Sequence, residues 1–186
     1  YYNKPGQRGL LAHYQYLAAN SPLPILIYNI PGRSGIDMST DTMAELAGHR
    51  RIIGVKESTG DINRISEIRH MCGHDFLILS GNDYMTVGII AHGGHGAISV
   101  TANVAPALTA RQTQAALDGD FATALALQDQ LWPLHQALFA DASPGPTKYA
   151  LSLMGHMLPD TRLPVVAPSD RARAIVDAAL AHAGIA

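Results

Sequence analysis

Short apolar runs that alternate with helix-length amphipathic segments constrain this chain more than any other feature. Ile25-Leu26-Ile27-Tyr28-Asn29-Ile30, Ile52-Ile53-Gly54-Val55, Phe76-Leu77-Ile78-Leu79-Ser80-Gly81 and Ala97-Ile98-Ser99-Val100 each read as a strand, and each is followed by a segment with helical spacing. Strand-helix units in a row build a parallel sheet with right-handed crossovers. A (βα)8 TIM barrel uses eight such units in about 250 residues, so four of them amount to half a barrel. An open doubly wound sheet has the same pattern and is the structural alternative.

The helices carry their own signals. Leu10, Tyr14 and Leu17, widened by Leu11 and Ala18, predict a helix over 7–20, broken by Pro22 and Pro24. Ser39 is the expected N-cap of a helix carrying Met43, Leu46 and Ala47, with Gly48 as its C-cap. Asp61 is placed to cap a helix with Ile62, Ile65 and Ile68 on one face, ending near Gly73. A short helix over 85–91 and one opening at Pro106 and running to Gly119 complete the alternation. From Asp120 the strands stop, and three helical segments over 120–140, 146–156 and 169–183 remain. The expected division is a barrel half over 1–119 and a helical domain over 120–186.

Composition narrows the function classes. The 186 residues are 47% hydrophobic and 15% charged, with a net charge of −2, so no basic surface points to nucleic acid or an anionic membrane. A single cysteine, Cys72, forms no internal disulfide and continues the helical pattern of Ile62, Ile65 and Ile68, which makes packing its expected role. No apolar run approaches the 18 or so residues of a membrane span, and no signal peptide is expected. A cytoplasmic enzyme is the default expectation. The chain opens on Tyr1-Tyr2-Asn3-Lys4-Pro5 without an initiator methionine, so the N-terminal part of a longer protein is expected to precede it.

In parallel α/β folds, functional groups gather at the C-terminal ends of the strands. Those ends present Tyr28 and, just beyond, Arg33; then Lys56, Gly81, and Ile98 with Ser99. A lysine closing an apolar strand at a barrel mouth is desolvated, which favours the neutral amine and suits Schiff-base chemistry on a carbonyl. A phenol can move protons beside it, and a guanidinium can grip a carboxylate through two hydrogen bonds. Each residue has a plainer reading. Lys56 can snorkel to water, Tyr28 can be packed, Arg33 can be a solvated loop residue, and Gly93-Gly94-His95-Gly96 can be a tight turn with a structural His95. No group of side chains has metal-ligand spacing, and the glycines match neither a dinucleotide nor a P-loop pattern, so neither a metal nor a nucleotide cofactor is expected.

Four ordered segments carry a family resemblance: Tyr28-Asn29-Ile30-Pro31-Gly32-Arg33-Ser34-Gly35, Gly54-Val55-Lys56-Glu57-Ser58-Thr59-Gly60, Leu79-Ser80-Gly81-Asn82-Asp83, and Gly93 through Asn103. Together they resemble the 4-hydroxy-tetrahydrodipicolinate synthase (dihydrodipicolinate synthase) family, within the superfamily that also holds N-acetylneuraminate lyase. The resemblance implies the C-terminal half of a (βα)8 barrel plus a three-helix extension. It implies a lyase of lysine and diaminopimelate biosynthesis that condenses pyruvate with aspartate semialdehyde through an imine on Lys56, with no separate cofactor. Tyr28 matches the proton-relaying tyrosine, Arg33 the residue that binds the semialdehyde carboxylate, and Gly81 and Ile98 the lining of the pyruvate pocket. Tyr2 matches the tyrosine inserted into a neighbouring subunit's site, Tyr1 its neighbour at the effector site of lysine-inhibited members, and the assembly implied is a homotetramer of tight dimers. An N-acetylneuraminate lyase or keto-deoxy sugar acid aldolase is the alternative within the superfamily, and Arg33 argues against it. A non-catalytic barrel that binds a keto acid is the alternative from another class. The family's first strands, with the threonines that hold the pyruvate carboxylate, have no counterpart in these 186 residues. The chain by itself is therefore expected to be inactive or poorly folded, and a Gly-Thr-Thr-Gly-like strand end is expected upstream of Tyr1.

Overall fold

A computed structural model of the chain describes residues 2–185, so the reading of Tyr1 lies outside the described residues. The chain divides into two compact units, 2–98 and 99–185 within the described residues. In the first, helix α1 (Gln7–Asn20) leads to strand β1 (Ile25–Asn29), the short helix α2 (Pro31–Ser34), helix α3 (Thr40–Ala47) and strand β2 (Ile52–Glu57). Helix α4 (Asn63–Cys72), strand β3 (Leu77–Ser80), helix α5 (Thr86–Ala91) and strand β4 (Gly96–Ala97) follow. The four strands pair in parallel in the order β1-β2-β3-β4, so the α/β half-barrel alternation read from the sequence is the architecture found.

Local chemistry sets the helix ends. The Ser39 hydroxyl accepts the Thr42 N–H at the start of α3, and the Gly48 N–H closes its other end on the Glu45 and Leu46 carbonyls. Asp61 Oδ1 accepts the Asn63 N–H at 3.0 Å as α4 begins. The segment after β1, which reads as a simple Pro-Gly turn, is instead a turn of helix. Pro31 opens it, where a missing N–H costs nothing, and Gly35 closes it at φ +69°.

Alternation along the strands separates two faces. Ile27, Val55 and Ile78 stand in one register row and are fully buried with Met43, Leu46, Ile65 and Ile68 of α3 and α4. Leu26, Gly54 and Leu77 form a row on the other face, followed by Tyr28, Lys56 and Leu79. Gly54 is required where it stands: a Cβ there would lie 2.3 Å from the Leu77 carbonyl oxygen. Cys72 packs half-buried against the core, in keeping with its place in the helical pattern.

The fourth strand is shorter than its apolar sequence predicts. The strand itself spans only Gly96–Ala97, with one further bond from the Ile98 N–H to Ser80; the Ser99 hydroxyl then accepts the Ala102 N–H at 2.8 Å, and the chain turns into a 3-10 helix over Thr101–Asn103. The second unit continues with α6 (Pro106–Leu117), α7 (Phe121–Ala137), α8 (Gly145–Leu153) and α9 (Asp170–Ala183). Leu131, Leu134 and Leu138 on or beside α7, Ala150 on α8, and Val176, Ala179 and Leu180 on α9 form its core. Helix α6 packs on α7, which draws the compact boundary back to Ile98, earlier than the change of rhythm at Gly119.

Candidate functional site

Parallel pairing carries on past the strand ends and lines up the candidate residues. The Ser58 N–H donates to the Asn29 carbonyl at 3.0 Å, the Gly81 N–H to Glu57 at 2.8 Å, and the Ile98 N–H to Ser80 at 2.9 Å. Tyr28 and Lys56 therefore share one row at the strand ends, and Gly81 and Ile98 stand two residues further along, level with Ser58. Register sets Tyr28 directly beside Lys56 on the same face, and the Lys56 ammonium stands 3.9 Å from the centre of the Tyr28 ring. A cation over an aromatic face is attracted by the ring quadrupole, so the two side chains hold each other in place.

Lys56 is half-buried, and the face around it is open, with Tyr28 44% and Ile98 42% exposed. The four strands of the half barrel cover one side of the lysine. Gly81 has its own constraint, since a Cβ there would sit 1.9 Å from the Ser58 hydroxyl and 3.0 Å from Lys56 Cε. Only a residue without a side chain lets the lysine stem pass. Arg33 and Tyr2 stand outside the row. Arg33 is exposed on α2, four residues past the end of β1 at Asn29, and Tyr2 is 89% exposed ahead of α1.

His95 is structural. Its N–H donates to the Ile78 carbonyl at 2.8 Å and its Nδ1 accepts the Ile78 N–H at 3.1 Å, fastening the glycine-rich turn to β3. On α1, burial pushes the Tyr14 phenol above its ordinary range, against a smaller opposing pull from a hydrogen bond to the Tyr28 backbone.

Behind the lysine lies a polar cluster that the sequence reading passed over. Glu57 is only 2% exposed, and its carboxylate accepts from Asn29 Nδ2 at 3.1 and 3.4 Å, the Thr59 N–H at 2.7 Å and Arg64 Nε at 3.2 Å. The signal was available: a carboxylate beside a lysine in a strand expected to be buried on both faces needs charged or hydrogen-bonding partners.

The chain matches the model of the Dihydrodipicolinate synthetase family over residues 1–183. It is 56% identical over 184 residues to the 4-hydroxy-tetrahydrodipicolinate synthase of Zymomonas mobilis, covering 98% of this chain and 63% of that protein. To the protein of the same name from Rhizorhabdus wittichii it is 55% identical, covering 100% and 64%. A solved structure of the chloride-inhibited dihydrodipicolinate synthase from Acinetobacter baumannii, complexed with pyruvate, superposes with a TM-score of 0.96 at 37% identity, over 100% of this chain and 64% of its own. The chain thus spans just under two thirds of the length of the relatives it matches. With the strand-end lysine beside its tyrosine, the parallel half barrel and a match running nearly end to end, this chain belongs to the dihydrodipicolinate synthetase family.

Proposed function

We propose that this chain supplies the Schiff-base lysine and most of the substrate-facing residues of an enzyme that condenses pyruvate with L-aspartate 4-semialdehyde to 4-hydroxy-tetrahydrodipicolinate. The observation that carries the reading is the Lys56 amine held 3.9 Å from the Tyr28 ring at the C-terminal end of a parallel sheet. The names of relatives more than half identical to it support the choice of substrates over a sugar-acid aldolase.

Once it has given up its proton, the Lys56 amine adds to the pyruvate ketone, and loss of water gives an imine. Loss of a methyl proton turns the imine into an enamine, whose carbon attacks the aldehyde carbon of the semialdehyde while the aldehyde oxygen takes up a proton. The substrate's own amine then attacks the imine carbon, closes the ring and releases Lys56. Tyr28 is the group beside the amine for these proton transfers, and Tyr2 from a neighbouring subunit would extend the relay. Arg33 binds the semialdehyde carboxylate, while Gly81 and Ile98 line the pyruvate side. The imine forms on the protein's own lysine, so no separate cofactor enters. A homotetramer and a cytoplasmic location complete the proposal; among the described residues no helix is long and apolar enough to cross a membrane.

Borohydride reduction of the full-length protein with pyruvate tests the reading. A pyruvyl mass should appear on Lys56 and vanish in Lys56→Arg, and Arg33→Ala should raise the KM for aspartate semialdehyde far more than that for pyruvate. Absence of the adduct from the unaltered protein would favour a keto-acid-binding barrel without catalysis.

A further inference from the structure

The cluster around Glu57 links three parts of the first unit. Asn29 Oδ1 accepts the Met38 N–H at 3.1 Å, and its Nδ2 donates to Asp37 Oδ1 at 2.8 Å, so one side chain closes the segment 30–38 on itself. Arg64, from α4, reaches Glu57 through Nε, Asp37 Oδ2 through Nη1 at 3.3 Å, and the Met38 carbonyl through Nη2. Glu57 joins the two, since it accepts from both Asn29 and Arg64. Segment 30–38 carries Arg33.

Strand alternation gives the cluster its relation to the chemistry. Asn29 pairs with Glu57 in the same ladder in which Tyr28 pairs with Lys56, one residue earlier. Successive side chains leave a strand on opposite faces, so the Asn29–Glu57 pair stands directly behind the Tyr28–Lys56 pair. A shift of either strand end that parts the first pair must part the second.

We propose that Glu57, through Asn29 and Arg64, is a positioning residue that fixes both the Lys56–Tyr28 spacing and the seat of the Arg33 segment. This rests on the synthase reading above. The carboxylate matters as a charge with four hydrogen-bonded contacts: an amide in its place keeps the shape, gives up the ion pair to Arg64 and presents N–H groups to donors. Displacement of reacting groups by about 1 Å is enough to lower rates by about 100-fold, so a residue that never touches substrate can govern turnover.

The test is Glu57→Gln in the full-length protein, assayed well below its unfolding temperature, beside Arg64→Gln and the double variant. Positioning predicts a 10- to 100-fold fall in kcat/KM, a larger rise in KM for the semialdehyde than for pyruvate, slower borohydride-trapped adduct formation at Lys56, and faster amide exchange in 30–38. The double variant should lose less than the two single variants' losses added together, because both remove the Glu57–Arg64 link. Both KM values and kcat within twofold of the unaltered protein, with only the melting temperature lowered, would overturn the proposal. Should Glu57→Gln not fold, Asp37→Asn at the half-exposed end of the cluster decides: a rise of threefold or more in semialdehyde KM supports positioning, and no rise refutes it. If the unaltered protein traps no pyruvyl adduct, the synthase reading fails separately, and unchanged exchange in 30–38 would still sink the clamp.

Discussion

Replacing Gly54 with alanine probes how closely β2 and β3 approach beneath the lysine. The added Cβ would lie 2.3 Å from the Leu77 carbonyl oxygen, 2.6 Å from Leu77 Cβ and 2.9 Å from Leu26 Cδ2. Carbon–oxygen contacts settle at about 3.3 Å or more, so the nearest atom must retreat by about 1 Å. That atom belongs to the backbone, and no rotamer change moves it. Overpacking of this kind costs about 1–3 kcal/mol, and one weakened ladder hydrogen bond adds about 1 kcal/mol. The smaller entropy of the unfolded alanine chain returns about 0.4–1 kcal/mol. The net expectation is a loss of about 2–3 kcal/mol, read in the full-length protein as a lower urea midpoint at unchanged slope. Gly54 and Lys56 share a face, so the pyruvyl adduct should also form more slowly. A loss below about 0.5 kcal/mol with trapping unchanged would refute the close-approach argument, because an exposed substitution without a clash is worth no more than that.

Burial pushes the Cys72 thiol up to about 11. Thiolate is the reacting form, so at about pH 8 iodoacetamide should label the folded protein on the order of 100-fold more slowly than the urea-unfolded one. Because the folded value lies above the unfolded one, the protonated thiol's contribution to stability is complete below about pH 8.5 and is lost as pH rises toward about 11. Cys72→Ala should flatten that alkaline slope. At Asp141 the sign reverses: hydrogen bonds from the Ser169 N–H, at 2.7 Å, and its hydroxyl hold the carboxyl below its usual range. Its contribution is present above the ordinary carboxylate range and is lost as pH falls through the depressed value. Asp141→Asn should remove that part of the acid limb in urea titrations run at a series of pH values, and an unchanged limb would count against it.

Much of the fold was legible because its punctuation is local. Pro22 with Pro24, the Ser39 cap and Gly48 mark helix ends through backbone chemistry that any chain obeys, and α1 and α3 fall where those residues put them. What escaped depends on contacts between distant residues. Ile98-Ser99-Val100 has strand composition, yet the Ser99 hydroxyl captures the Ala102 N–H and ends the pairing. Lys56 and Tyr28 announced themselves by residue type at strand ends, whereas Arg64 reaches Glu57 from 7 positions away, Asp37 enters the cluster through Arg64 and Asn29, and neither leaves a periodic trace.

The irregular pairing at the start of β1 has a consequence for the chemistry. Ile25 faces Ile52 but Leu26 faces Gly54, so Ile53 is an extra residue in β2. Without that one-residue slip, Tyr28 would meet Val55, and Lys56 would fall opposite Asn29 with its side chain turned toward the helices. Lys56 and Glu57 are thus assigned to opposite sides of the sheet by odd and even numbering alone. Deleting Ile53 would make the ladder regular and leave Tyr28 opposite Lys56, whereas deleting Val55 would set Glu57 opposite Tyr28 and exchange the two sides.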